Sequence, residues 1–282
     1  MIHTPVKALG LALLIFLPQA ILAQHYYHDI MGTRETNTQM ERLIRAGVTS
    51  VSATGFNQDN RPEPGFSETQ IIRTVAPQWT ITRSQDENRS WESLEFNAQN
   101  QLIRSVDSTA TTINRTYFRY DADGRVMLLE NSASDTAMGI TEMEQHHWYY
   151  DAAGLPEKMI RVVNGRDTTE FRFVKDENGN VAEETTYKRG NPTETIYYYY
   201  NENGQLTDIV RYNTRAKRLL PDFMFEYDET GRVIQKITVM PNPKIGYLIW
   251  RYQYNEKGLK VREANFTREK KLIGRIDYSY VD

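Results

Sequence analysis

From Phe96 onward, aromatic residues fall on alternate positions of short runs. Phe118 and Tyr120, Trp148 and Tyr150, Phe171 and Phe173, Tyr198 and Tyr200 share the phase of Phe96. So do Phe223, Phe225 and Tyr227, then Trp250, Tyr252 and Tyr254, and finally Tyr278 and Tyr280. The positions between them include Arg119, His147, Arg172, Glu226, Arg251, Gln253 and Asp277. Side chains along a strand alternate between two faces, so the pattern predicts strands with one buried aromatic face and one wet face. Only Trp91, Tyr117, Tyr149, Tyr197 and Tyr199 take the opposite phase.

One motif ends most of these runs. It reads Tyr120-Asp121-Ala122-Asp123-Gly124-Arg125-Val126, and again from Tyr150, Lys175, Tyr200, Tyr227 and Tyr254, with glycine at 124, 154, 179, 204, 231 and 258. Copies lacking the glycine stand at Phe96 to Leu102 and at Phe56 to Asn60. Asp or Asn at the second position can bond the backbone two residues on, and Gly or Asn at the fifth tolerates positive φ, so each copy predicts a hairpin turn. The period near 26 residues leaves room for two strands and a second, more variable turn, as at Asn164-Gly165, Gly190-Asn191-Pro192 and Met240-Pro241-Asn242-Pro243.

The fold expected is all-β: a long antiparallel meander of repeated hairpins, rolled or flattened into a large curved sheet of roughly 14 to 16 strands. A fully closed round barrel of that size is disfavoured, because its lumen exceeds what wall side chains fill. The last strand, Tyr278 to Asp282, is expected to close the sheet or to lie at its edge.

The start of the chain differs. Lys7, the apolar run Ala8 to Leu17 and Ile21-Leu22-Ala23 predict an export signal over 1–23, cleaved before Gln24. Residues 24–90 are expected to form an N-terminal helix plus irregular strands packed on the sheet, and 91–282 the repeats. Thr36 to Ala46 suits the helix, with Thr36 as cap, Met40, Leu43 and Ile44 as its apolar stripe and Gly47 as its stop, placed over an open end of the sheet. Strands are expected at Val48 to Phe56, Phe66 to Thr74, Gln78 to Arg83 and Ser90 to Phe96.

Composition narrows the chemistry. The 282 residues contain no cysteine, which excludes disulfides, thiol nucleophiles and cysteine-held metals. A net charge of −3 gives no reason to expect nucleic-acid binding, and no apolar run after the signal predicts a membrane span in the mature chain. The 18 Tyr, 10 Phe and 4 Trp supply the core that a chain of mean hydropathy −0.64 otherwise lacks.

The recurring Tyr-Asp-x-x-Gly-x-Leu/Val unit resembles that of the YD-repeat (RHS-type) proteins over about Phe96 to Asp282, and the short exported form is similar to repeat proteins of Bacteroidota-type Gram-negative bacteria. The resemblance implies an exported β-structure in the periplasm or at the cell surface, with polysaccharide or an envelope protein as partner. Departures are Lys175 in place of Tyr and Pro156 at a seventh position.

Catalytic signals are sparse. His25 and His28, and His146 with His147, lack a third metal ligand at a recognisable spacing, so no metal or other cofactor is expected. No G-x-S-x-G, Walker or dinucleotide motif occurs, and most acids fall in the turns. Asp107-Ser108-Thr109, Asp135-Thr136-Ala137 and Asp167-Thr168-Thr169 resemble O-glycosylation sites of such bacteria. The wet-face tyrosines Tyr117, Tyr149, Tyr197 and Tyr199, interspersed with Arg119 and Arg172, form the expected ligand-binding surface, set against a purely structural role in cross-strand pairing. The expectation is a non-catalytic binding or scaffold module of the bacterial envelope. The alternative is an envelope hydrolase acting on a polysaccharide in the mouth of the rolled sheet.

Overall fold

The computed structural model describes residues 25–282; the predicted export signal lies outside them. Helix α1 (His28–Arg45) precedes β1 (Ser50–Phe56), β2 (Phe66–Arg73), β3 (Gln78–Gln85), β4 (Asn88–Phe96), β5 (Leu102–Ser108) and β6 (Thr112–Tyr120). There follow β7 (Val126–Asp135), β8 (Ile140–Tyr150), β9 (Pro156–Val163), β10 (Asp167–Lys175), β11 (Val181–Lys188) and β12 (Asn191–Tyr200). The last six are β13 (Leu206–Asn213), β14 (Arg218–Tyr227), β15 (Val233–Val239), β16 (Tyr247–Tyr254), β17 (Lys260–Thr267) and β18 (Leu272–Val281).

Each strand pairs antiparallel with its sequence neighbours, and β1 pairs with both β2 and β18, Ser50 opposite Val281 and Phe56 opposite Arg275. The rolled sheet is therefore a closed 18-stranded barrel, which leaves no unpaired edge. Two expectations are corrected here. The strand count exceeds 14 to 16 because β1 to β3 belong to the same wall, where irregular strands packed on the sheet were expected. The round barrel was disfavoured for its empty lumen, but α1 occupies that lumen. Met40 and Leu43 pack with Val51, Ile72, Trp79 and Leu94, and Tyr26 and Ile30 pack with Trp148, Phe171 and Tyr198 on the opposite wall.

All seventeen in-phase aromatics are buried or half-buried, and none is exposed. The hairpins alternate between two rims, and the seven turns starting at Asn97, Asp121, Asp151, Asp176, Asn201, Asp228 and Asn255 share one of them. In the second copy Asp121 Oδ1 accepts the N–H groups of Asp123 and Arg125, and Gly124 takes φ +76°. Asn100 adopts φ +58° where the glycine is missing. The copy at Phe56 makes the same turn, with Asn57 Oδ1 accepting from Asp59 and Arg61, but on the opposite rim. Beside each of the seven turns the register slips by one residue, a bulge of the kind that adds twist at a barrel rim.

The motif tyrosines do more than fill space. Tyr120, Tyr150, Tyr200, Tyr227, Tyr254 and Tyr280 donate their hydroxyls to the carbonyls of Leu102, Val126, Val181, Leu206, Val233 and Lys260, each the seventh residue of the preceding copy. These bonds, 2.6–2.8 Å long, each tie one repeat to the one before it. Lys175 replaces the tyrosine bond with an ion pair to Asp151 at 2.7 Å.

Candidate functional site

The bulges fix which side chains face inward. After each turn the seventh and tenth motif residues point into the lumen, so Leu129, Met159, Glu184, Ile209, Lys236 and Glu263 occupy one belt opposite Phe118, Trp148, Phe173, Tyr198, Phe225 and Tyr252. Three of these six belt positions are charged, and the helix meets the belt at one of them. Glu184, 1% exposed, accepts the backbone N–H groups of Tyr26 and Tyr27 at 2.9 and 3.0 Å and the Tyr198 hydroxyl at 2.7 Å. Burial pushes its carboxyl above the ordinary range, against the pull of those three bonds. The wall thereby caps the helix entry, and Thr36 is not the N-cap. The helix begins after Tyr27, whose own side chain makes no capping bond.

A second polar cluster pins the first turn. His146 Nδ1 lies 2.7 Å from Asp29 Oδ2, its Nε2 lies 2.6 Å from Glu144 Oε1, and the Trp148 indole donates to Asp29 at 3.1 Å. Arg161 pairs with the other oxygen of Glu144. Burial disfavours the imidazolium, but the Asp29 charge and the two carboxylate hydrogen bonds raise His146 to about 9. Burial likewise opposes ionisation of Glu144, yet the bonds from His146 and Arg161 bring it down to about 2. His146 is thus a cation with both ring nitrogens engaged, which suits a clamp and leaves it no lone pair for a general base.

The predicted wet-face residues lie on the outer wall, spread over four strands. Tyr117, Tyr149 and Tyr199 are exposed, and Tyr197 is half-buried. Arg104 stands over the Tyr117 ring at 5.7 Å and Lys158 over Tyr149 at 4.8 Å, while Arg119 pairs with Glu130 and Arg172 with Glu170. Tyr197 and Tyr199 come together on β12, bordering an open groove of about 490 Å³ with Asp176, Asn178, Glu183 and Asn201. Tyr117, Arg119, Tyr149 and Arg172 do not line it. The His25 and His28 rings are 5.3 Å apart at the start of α1. Among the described residues no group of three or more His, Cys, Asp or Glu side chains could hold a metal ion. Ser108, Thr136 and Thr168 stand near the rim opposite the seven motif turns, on neighbouring hairpins.

Sequence reading missed Asp29, Glu144, Arg161, Glu184 and Lys236. For Glu184 and Lys236 the available signal was phase: a charged residue at a belt position that other repeats fill with Leu, Met or Ile; Asp29 lies on the helix, outside the repeats.

No family model matches the chain, and no curated protein matches it in sequence. Solved structures align with it at low identity. A TcdB2-TccC3 structure is 12% identical with a TM-score of 0.30 over 77% of this chain, which spans 15% of the length of that one. A porin-like protein from Bacteroides uniformis is 8% identical with a TM-score of 0.37, over 83% of this chain and 98% of its own. A porin-like protein from Bacteroides vulgatus is 14% identical with a TM-score of 0.30 over the same shares. No helix among the described residues is long and apolar enough to cross a membrane.

Proposed function

We propose that the protein is an exported, non-catalytic binding or scaffold barrel of the Gram-negative envelope, a short relative of the YD-repeat proteins, that recognises carbohydrate or another protein from water. The observation that carries this reading is the character of the two wall faces. Outward positions within the strands hold ion pairs such as Arg119 with Glu130, Arg172 with Glu170 and Arg262 with Asp277. A lipid-facing wall needs an apolar band about 25 Å tall, and a cation at its midplane costs roughly 2–4 kcal/mol. The wall therefore suits water, and α1 fills the space that a pore would use.

The groove at Tyr197 and Tyr199 offers two rings and four polar side chains of the kind that hold a sugar or a peptide. Glycans, peptidoglycan and envelope extracts are the ligands to screen. Saturable binding that disappears in a Tyr197→Ala, Tyr199→Ala double variant supports the reading. Turnover of any of these ligands into product contradicts it.

A further inference from the structure

Among the described residues, four inward-facing cations of the wall are paired. Arg83 meets Glu68, Arg161 meets Glu144, Arg211 meets Glu194 and Asp222, and Lys260 meets Glu263. Lys236 on β15 has neither an ion-pair partner nor a hydrogen-bond acceptor among the described residues; its ammonium stands 5.0 Å from the Phe223 ring centre. Opposite it on β16 is Trp250, and opposite Trp250 on β17 is Asn265. Trp79 and Trp148 donate their indole N–H groups to Gln70 and Asp29, whereas among the described residues that of Trp250 has no acceptor. Asn265 is 0% exposed, and neither its amide nitrogen nor its amide oxygen has a partner. Asn265 is thus buried and unpaired, where buried polar groups are ordinarily paired, and it shares one register row with two half-buried side chains, Lys236 and Trp250, that make no hydrogen bond among the described residues.

The unpaired ammonium of Lys236 favours an anion. His28 and Glu35 of α1 act on this row, and burial lowers the pKa of both Lys236 and His28. Glu35 is the carboxylate that acts on Lys236, and Arg42 acts together with Glu35 on Tyr254, four residues beyond Trp250 on β16. His28, which interacts electrostatically with Lys236, is exposed. Phe225 lies directly across from Lys236, so the row is flanked by ring faces able to stack on a sugar.

We infer that Lys236, Trp250 and Asn265 form a lumenal site for a sugar bearing an oxyanion, a uronate or a sugar phosphate. The ammonium and indole N–H meet the oxyanion, the Asn265 amide exchanges hydrogen bonds with a hydroxyl, and Phe225 and Trp250 hold the ring. This site is separate from the outer groove. Calorimetric titration of the mature chain with glucuronate, glucose 6-phosphate and glucose tests it. At least one of the two anions is expected to bind saturably, and glucose at least tenfold more weakly; the tighter anion identifies the oxyanion. Lys236→Met should weaken that binding tenfold or more, Lys236→Arg should largely retain it, and Asn265→Leu should weaken it while raising the unfolding temperature. The Tyr197→Ala, Tyr199→Ala variant should bind the anion as the parent does. Failure of both anions to bind, equal binding of glucose, or a Lys236→Met variant that binds as the parent does would overturn the assignment.

Discussion

A carboxylate that accepts three hydrogen bonds while almost wholly buried leaves three donors stranded when it is removed. Glu184→Ala is expected to destabilise the protein by about 3–5 kcal/mol, since each buried donor without an acceptor costs about 1–3 kcal/mol and such costs overlap. Urea unfolding measures the loss, and proteolysis should cut within residues 25–46 of the variant while the parent resists. His146 makes the pH dependence specific. Its pKa is raised from 6.5 to about 9, so its contribution is complete below pH 6.5 and is lost as pH rises through 9. Glu144 is depressed from 4.5 to about 2, so its contribution is complete above pH 4.5 and is lost as pH falls through 2. The clamp is strongest between about pH 4.5 and 6.5. His146→Gln should start less stable and lose less than the parent between pH 6.5 and 9.5, read from urea midpoints at fixed salt; equal losses would contradict the clamp. Neither Glu184 nor His146 announces itself in local sequence, because their partners Tyr26 and Asp29 lie more than a hundred residues away.

At the scale of the hairpin, the sequence is far more readable. The Asp or Asn at the second motif position, the glycine at the fifth and the alternation of rings each act over a few residues, and the turns, strand ends and buried face follow from them. What alternation could not reveal is why tyrosine recurs in place of phenylalanine, since that depends on a carbonyl in the previous repeat. Tyr254→Phe keeps the ring and loses the bond to Val233, and should cost about 0.5–1.5 kcal/mol. Gly204 adopts φ +72° with open space where a Cβ would stand, so Gly204→Ala tests backbone strain alone and should cost about 1–2 kcal/mol. Thermal unfolding of the two variants separates these terms. The helix was legible in its second half, where Met40, Leu43 and Ile44 make a stripe, and illegible in its first, where the cap is a wall residue from β11.

For the whole molecule, the difference between a rolled sheet and a barrel rests on one strand pairing and on what fills the middle. The size argument against closure was sound for wall side chains alone; it missed that a helix preceding the repeats lies inside the wall. Wall and plug depend on each other: α1 covers Trp79, Leu94 and Trp148, which otherwise line an empty lumen, and the wall supplies the cap and the clamp. The reading of the outer face as wet belongs to this scale too, because only the closed wall makes one surface all outside. The seam decides the matter. Ser52 and Ser279 stand opposite each other across β1 and β18, and the chain has no cysteine of its own. In a Ser52→Cys, Ser279→Cys variant, mild oxidation should form an intramolecular disulfide in the folded monomer, seen as faster migration on a non-reducing gel that dithiothreitol reverses. Free thiols throughout, or disulfides only between molecules, would show that the sheet does not close.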